Sequence, residues 1–292
     1  MVDLISIAHL MNGLLMIALG VGLGILLTRR FTIGWRLWWI GAATFVLSQI
    51  GHIPFNFAVG VLLRRGILPS PPEEWALAFT AIFLGLSAGL WEECARYASF
   101  RWWAVEARSW KKALVFGAGH GGMEAILLGI LVLYTYIQIV SLRGVDLATV
   151  IPQDRLELAQ QQINAYWSLP WYTSLFGALE RVFALITQLT LSVLVLQVFV
   201  RRHIRWLFFA IIWHGMFNAV AYYIANIWGA YMAELSLAIG MLLDFGVLYL
   251  LYQPEPASQE EMQPITIQTT DIRRQLPELD ESQENLDQTR YN

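Results

Sequence analysis

The sequence predicts an all-α integral membrane protein, and three observations carry that expectation. Of its 292 residues 57% are hydrophobic and only 14% charged, whereas a soluble domain carries charge on about a quarter of its residues. It holds 13 tryptophans, the residue that settles at membrane interfaces. Apolar stretches also recur at the roughly 20 residues that a helix rising about 1.5 Å per residue needs to cross some 30 Å of hydrocarbon.

Seven such stretches follow one another, at about 4–27, 33–63, 75–100, 113–140, 172–200, 204–228 and 231–252. The first has no basic residue before it and is too long for the apolar core of a signal peptide, so it reads as a helix of the mature chain. The second is long for one crossing. It contains GHIPFN, where Pro54 removes a backbone donor and is expected to kink or break the helix, so the bundle has seven membrane helices or, with a break, an eighth short element. The third ends in GLWEECARYASF, the fourth begins ALVFGAGHGGMEAI, the fifth contains GALERVFALITQ and the sixth IIWHGMFNAV. The seventh carries one charge, Asp244, read as a satisfied polar group.

Basic residues in short loops orient such a bundle. Arg29, Arg30 and Arg36 follow the first span, Arg101, Arg108, Lys111 and Lys112 follow the third, and Arg201, Arg202 and Arg205 follow the fifth. All ten share one side, against Arg64, Arg65, Arg143 and Arg155 on the other. The N-terminus is therefore expected outside and the C-terminus in the cytoplasm, which an odd number of crossings requires. Residues 1–252 form the membrane domain. From 253 to 292 the chain holds nine Asp or Glu against three Arg and almost no aromatic side chain, so this acidic cytoplasmic tail is expected to be disordered. The single cysteine, Cys94, excludes an internal disulfide. No glycine-rich phosphate loop and no nucleic-acid module is present.

Ionisable groups inside hydrocarbon cost several kcal/mol unless paired or hydrated, which makes the polar outliers informative. Glu92, Glu93 and Arg96 stand in the third span, His120 and Glu124 in the fourth, Glu180, Arg181 and Gln188 in the fifth, and His214 and Asn218 in the sixth. Glu92 and Arg96, His120 and Glu124, and His214 and Asn218 are each four residues apart, hence on one helix face. The glycines around His120 permit close helix approach or leave room for a ligand. A duller account makes Glu93 with Arg96 a structural ion pair, gives Glu180 a partner on another helix, and leaves His9 and His52 as hydrogen-bonded structural histidines. It handles badly the coincidence of two Glu, two His and an Asn at matching depth on three helices.

EECAR, FGAGH and HGMFN resemble the three signature motifs of the CAAX-protease and bacteriocin-processing family of intramembrane peptidases: paired glutamates followed by arginine, Phe-x-x-x-His and His-x-x-x-Asn. Within that family the chain is most similar to the YhfC branch. The resemblance implies a helical endopeptidase core in which Glu92 activates water, His120 holds it, His214 and Asn218 form an oxyanion hole, and Glu93 and Arg96 orient the site. Two residues rather than three separate Glu93 from Arg96, as in the related PrsW proteases, and Glu124 is an addition. Peptide hydrolysis needs a base for water and donors for the developing oxyanion, and two His with a Glu also make a catalytic zinc set. His120, His214, Glu92 and Glu124 are the candidate zinc ligands, and Glu124, Glu180 and Arg181 a candidate additional polar site.

The expected function is therefore an intramembrane protease acting on a membrane-associated or membrane-embedded polypeptide in the cell membrane of a prokaryote, its site open to the cytoplasmic half. The alternatives are a proton- or ion-coupled transporter, which needs polar groups through the whole membrane depth, and a non-catalytic membrane scaffold.

Overall fold

The computed structural model describes residues 3–252, and the acidic tail expected from residue 253 onward lies outside them. Among the described residues the chain is helical, with α1 (Leu4–Phe31), α2 (Arg36–Arg64), α3 (Ala76–Trp102), α4 (Trp110–Ser141), α5 (Gln153–Ser168), α6 (Phe176–Val200), α7 (Arg205–Trp228) and α8 (Ala230–Leu250). Seven of these are long and apolar enough to cross a membrane; α5 is the exception, with no buried residue.

Local chemistry sets the ends. Asp3 caps α1 by accepting the Ser6 N–H at 2.9 Å, and Arg143 donates to its other oxygen at 2.5 Å. The Ser6 bonds first and the Arg143 guanidinium second hold the Asp3 carboxyl well below the usual carboxylate range. Prolines precede α5 and the two 3-10 turns Glu73–Trp75 and Trp171–Leu175, which lead into α3 and α6. Gly229 alone joins α7 to α8, at φ 82, a left-handed conformation that costs glycine little. The expected break at Pro54 does not occur, for α2 is one helix across it; a carbonyl freed by proline is tolerated in a membrane helix whose neighbours re-satisfy it. The eighth helix lies instead in the loop between the fourth and fifth crossings.

Helix α4 stands at the centre, packed by α1, α2 and α6, while α3 pairs with α7 and α6 with α8. Glycine makes these approaches close. A Cβ on Gly119 would stand 1.9 Å from the Trp38 carbonyl oxygen of α2, and one on Gly85 of α3 would stand 2.3 Å from the Gly215 carbonyl oxygen of α7. The glycines flanking His120 therefore serve helix contact, not ligand space.

The bundle has two unlike halves. Towards the face that carries the arginine-rich loops, every residue of α6 from Gln188 to Val198 is buried. Phe100 and Phe116 pack with that segment in one apolar core. Towards the opposite face the interior is polar.

Candidate active site

Glu92 lies ten residues before the end of α3, His120 ten after the start of α4, and His214 nine after the start of α7. Each is thus about 15 Å from the arginine-rich end of its helix, and packing brings them together. His120 Nε2 is 3.1 Å from Glu92 Oε2. His214 Nδ1 is 2.8 Å from Glu93 Oε1. Arg96 donates from Nε to Glu93 Oε2 at 3.0 Å, from Nη1 to the Gln188 carbonyl at 3.2 Å and to Ser192 Oγ, and from Nη2 to Gln188 Oε1 at 2.5 Å. Glu93, Arg96 and His120 are all 0% exposed, yet Glu92 and His214 keep 6% and 4%. The last two therefore form the edge of the cluster that a substrate could reach.

The four-residue pairs do not bond within themselves. Arg96 pairs with Glu93, not Glu92. Glu124 accepts from Arg181 Nη1 at 2.6 Å and from Gln188 Nε2 at 2.9 Å, and Arg181 also binds Glu180. Asn218 is exposed and forms no hydrogen bond among the described residues, but it lines a cavity of about 340 Å³ together with Glu92, His214, Gln188 and the Glu124, Glu180 and Arg181 group. Six of the nine sequence-derived candidates thus line one space, and Glu93, Arg96 and His120 are buried behind it.

Two amides complete the arrangement. Gln188 Nε2 bridges Glu92 Oε2, at 3.3 Å, to Glu124. Gln49 of α2 donates to Glu92 Oε1 at 3.2 Å and stands 3.1 Å from His52 Nδ1; His52 Nε2 meets Asn56 Nδ2 at 2.9 Å and Ser87 Oγ at 3.2 Å. His52 is hydrogen-bonded as expected, but it also lies one side chain from Glu92. Gln49 is a residue that sequence reasoning missed; an amide in an apolar helix was the available signal. His9 meets Ser174 at 3.3 Å, remote from this cluster. Asp244 is satisfied by Thr187 Oγ1 at 2.6 Å and Trp213 Nε1 at 2.9 Å.

The candidate zinc ligands do not assemble. Among the described residues no three His, Cys, Asp or Glu side chains stand together as a metal-binding group. Physically, His120 Nε2 is spent on Glu92, His214 Nδ1 on Glu93, and Glu124 on Arg181 and Gln188. The other ring nitrogen of His120, Nδ1, is buried without a hydrogen-bond partner among the described residues.

The cavity does not run towards the arginine-rich half, where the opening was expected. From Glu92 and His214 the lining runs through Asn218 and Arg181 to Ala225 and Glu234, which lie beside the end of α7 and the start of α8. The cavity extends towards the opposite face because the polar residues Glu124, Glu180 and Arg181 lie on that side of the cluster and the buried run of α6 lies on the other.

A family model described as YhfC intramembrane metalloprotease matches residues 15–238. A relative from Bacillus subtilis (strain 168), named "Uncharacterized membrane protein YhfC", is 29% identical over 218 residues, covering 72% of this chain and 81% of that protein. No solved structure matches.

Proposed function

The chain belongs to the YhfC intramembrane metalloprotease family, and from that premise we propose that it is an intramembrane endopeptidase of a prokaryotic cell membrane, hydrolysing a peptide bond in a membrane-associated or membrane-embedded polypeptide. The observation that carries this reading is the edge of the polar cluster. Glu92, His214 and Asn218, from two separate helices, face one cavity while their partners are buried behind them.

Glu92 is the base. Its carboxylate accepts from Gln49 and Gln188 and faces His120 Nε2. It takes a proton from a water in the cavity as the water oxygen bonds to the scissile carbonyl carbon. The oxyanion that forms is met by the Asn218 amide, which has no other partner, and by protonated His214 Nε2. Glu93 accepts the Nδ1–H of His214 and so fixes that ring and stabilises its cation, while Arg96 holds Glu93. When the carbon–nitrogen bond breaks, the proton held by Glu92 passes to the leaving amine. His120, with no room for a substrate, orients Glu92. These steps run through protein groups because the donors present do not form a metal-ligand set.

A proton-coupled transporter is the second reading, favoured by the polar groups that continue from Glu124 to Glu234. Against it stands the buried apolar half, which interrupts any polar path. Proteoliposomes holding a membrane-anchored polypeptide that the intact protein cleaves provide the test. Wild-type cleavage by Glu92→Gln, His120→Ala and His214→Ala alike would sink the peptidase reading.

A further inference from the structure

Three features of the bundle bear on how a substrate reaches the site, and all three give it the same side. The first is the shape of the cavity. At one end its lining is Glu92 and His214, 6% and 4% exposed, and at the other it is Ala225 and Tyr222, both exposed, near the end of α7. The second is the chemistry of its wall. Glu234 Oε2 and Arg181 Nε are buried without a hydrogen-bond partner among the described residues, and the Glu180 side chain is 45% exposed. Buried polar groups without protein partners are met by water in folded proteins, and ionisable groups at membrane depth line water-filled space. The wall is therefore wet. The third feature is what lies behind Glu92 and His214. Towards the arginine-rich loops, Phe100, Phe116, Leu191 and Leu194 are 0% exposed and pack in one core, which closes that side.

We propose that the site is served from the face opposite the arginine-rich loops. The excess of Arg and Lys in short loops marks the cytoplasmic side, so the substrate is a segment of a membrane-anchored polypeptide that lies outside the cytoplasm, and water for the reaction comes from that side as well. The substrate class rests on the peptidase reading; the side of entry does not.

The test exploits that separation. Single cysteines are placed by Ala225→Cys and Ala221→Cys at the cavity, and by Arg202→Cys as a marker of the arginine-rich face, in full-length protein carrying Cys94→Ser. A charged, membrane-impermeant maleimide is then applied to intact spheroplasts and to inverted vesicles. The expected result is labelling of the two cavity cysteines in spheroplasts with protection of Arg202→Cys, and the reverse pattern in inverted vesicles. Cavity cysteines that react only in inverted vesicles, or in neither preparation, would overturn the proposal, as would Arg202→Cys labelling in spheroplasts. Repeating the labelling in Glu92→Gln keeps the two readings apart, since access survives loss of catalysis. A quenched-fluorescent peptide mixture added to the same preparations reads the substrate arm. Hydrolysis confined to spheroplasts and lost in Glu92→Gln supports it, hydrolysis confined to inverted vesicles overturns it, and none in either counts against peptidase action while the labelling still decides the side of entry.

Discussion

Gln49, on α2, donates its Nε2–H to Glu92 Oε1 on α3 across 43 positions of sequence, and so ties the proposed base to a helix that carries none of the signature residues. The direction of the chain behind it is fixed by chemistry. A carboxylate only accepts, so Gln49 presents its Nε2–H to Glu92 and its Oε1 to His52 Nδ1, the nitrogen that then carries the hydrogen.

Gln49→Leu removes that donor without adding charge. A net hydrogen bond of roughly 0.5–1.5 kcal/mol corresponds to about a 2- to 10-fold loss, expected in kcat with KM unchanged. Gln49→Glu should lose more, because a second carboxyl then faces Glu92. A variant of full activity, or one altered only in KM, would show that Gln49 does not position the base.

Glu92→Gln keeps shape and most hydrogen bonding but cannot take a proton. Turnover should fall by about 10²-fold or more, with the thermal transition nearly unchanged. Asn218→Ala, at an exposed position without protein partners, should cost roughly 10² to 10³ in rate and nothing in stability. Equal losses of activity and fold in both variants would make the cluster a structural one.

Arg96→Met tests the buried pair. Arg96 and Glu93 are both fully buried, and removing one member of such a pair costs about 3–5 kcal/mol by stranding the other charge. The unfolding midpoint in detergent should fall accordingly. Arg96→Met combined with Glu93→Gln should recover part of that loss. No recovery in the double variant would show that the stranded Glu93 charge is not the cause.

Chelation reads the fit of the donor set. With no three-ligand group among the described residues, activity should survive a strong zinc chelator, added zinc should not raise it, and elemental analysis should find well under one metal per chain. Loss on chelation with recovery on zinc addition would return His120, His214 and Glu92 to the metal-ligand role.

Much of this was legible in the sequence. Apolar length gave the seven crossings, since hydrocarbon thickness leaves few alternatives. Glu92, His120 and His214 stood out because charge and imidazole are rare in apolar helices. What the sequence left open was which glutamate Arg96 takes. Four-residue spacing put it on the face of Glu92 and the ion-pair account gave it Glu93; the guanidinium takes Glu93, with Gln188 and Ser192 of α6 holding its far side. Gln49 escaped notice for a related reason. An uncharged amide in a span attracts little notice until the carboxylate it meets, on another helix, is known. The direction of the cavity was not legible because depth along a helix does not say which end of a bundle is packed shut, and that depends on apolar residues such as Phe100 and Leu194 that look alike in every span.

The closed half of the bundle has an electrical consequence. A water-filled chamber that ends at Glu92 brings the potential of one bathing solution deep into the membrane, so the transmembrane voltage falls mainly over the apolar residues below. Moving a unit charge through the full potential is worth about 2.3 kcal/mol per 100 mV. A packed layer about 15 Å thick, whose ionisable side chains Glu93 and Arg96 are paired and fully buried, lets protons come and go at Glu92 from one solution only. Hydrolysis in the middle of an energised membrane then discharges none of the gradient across it.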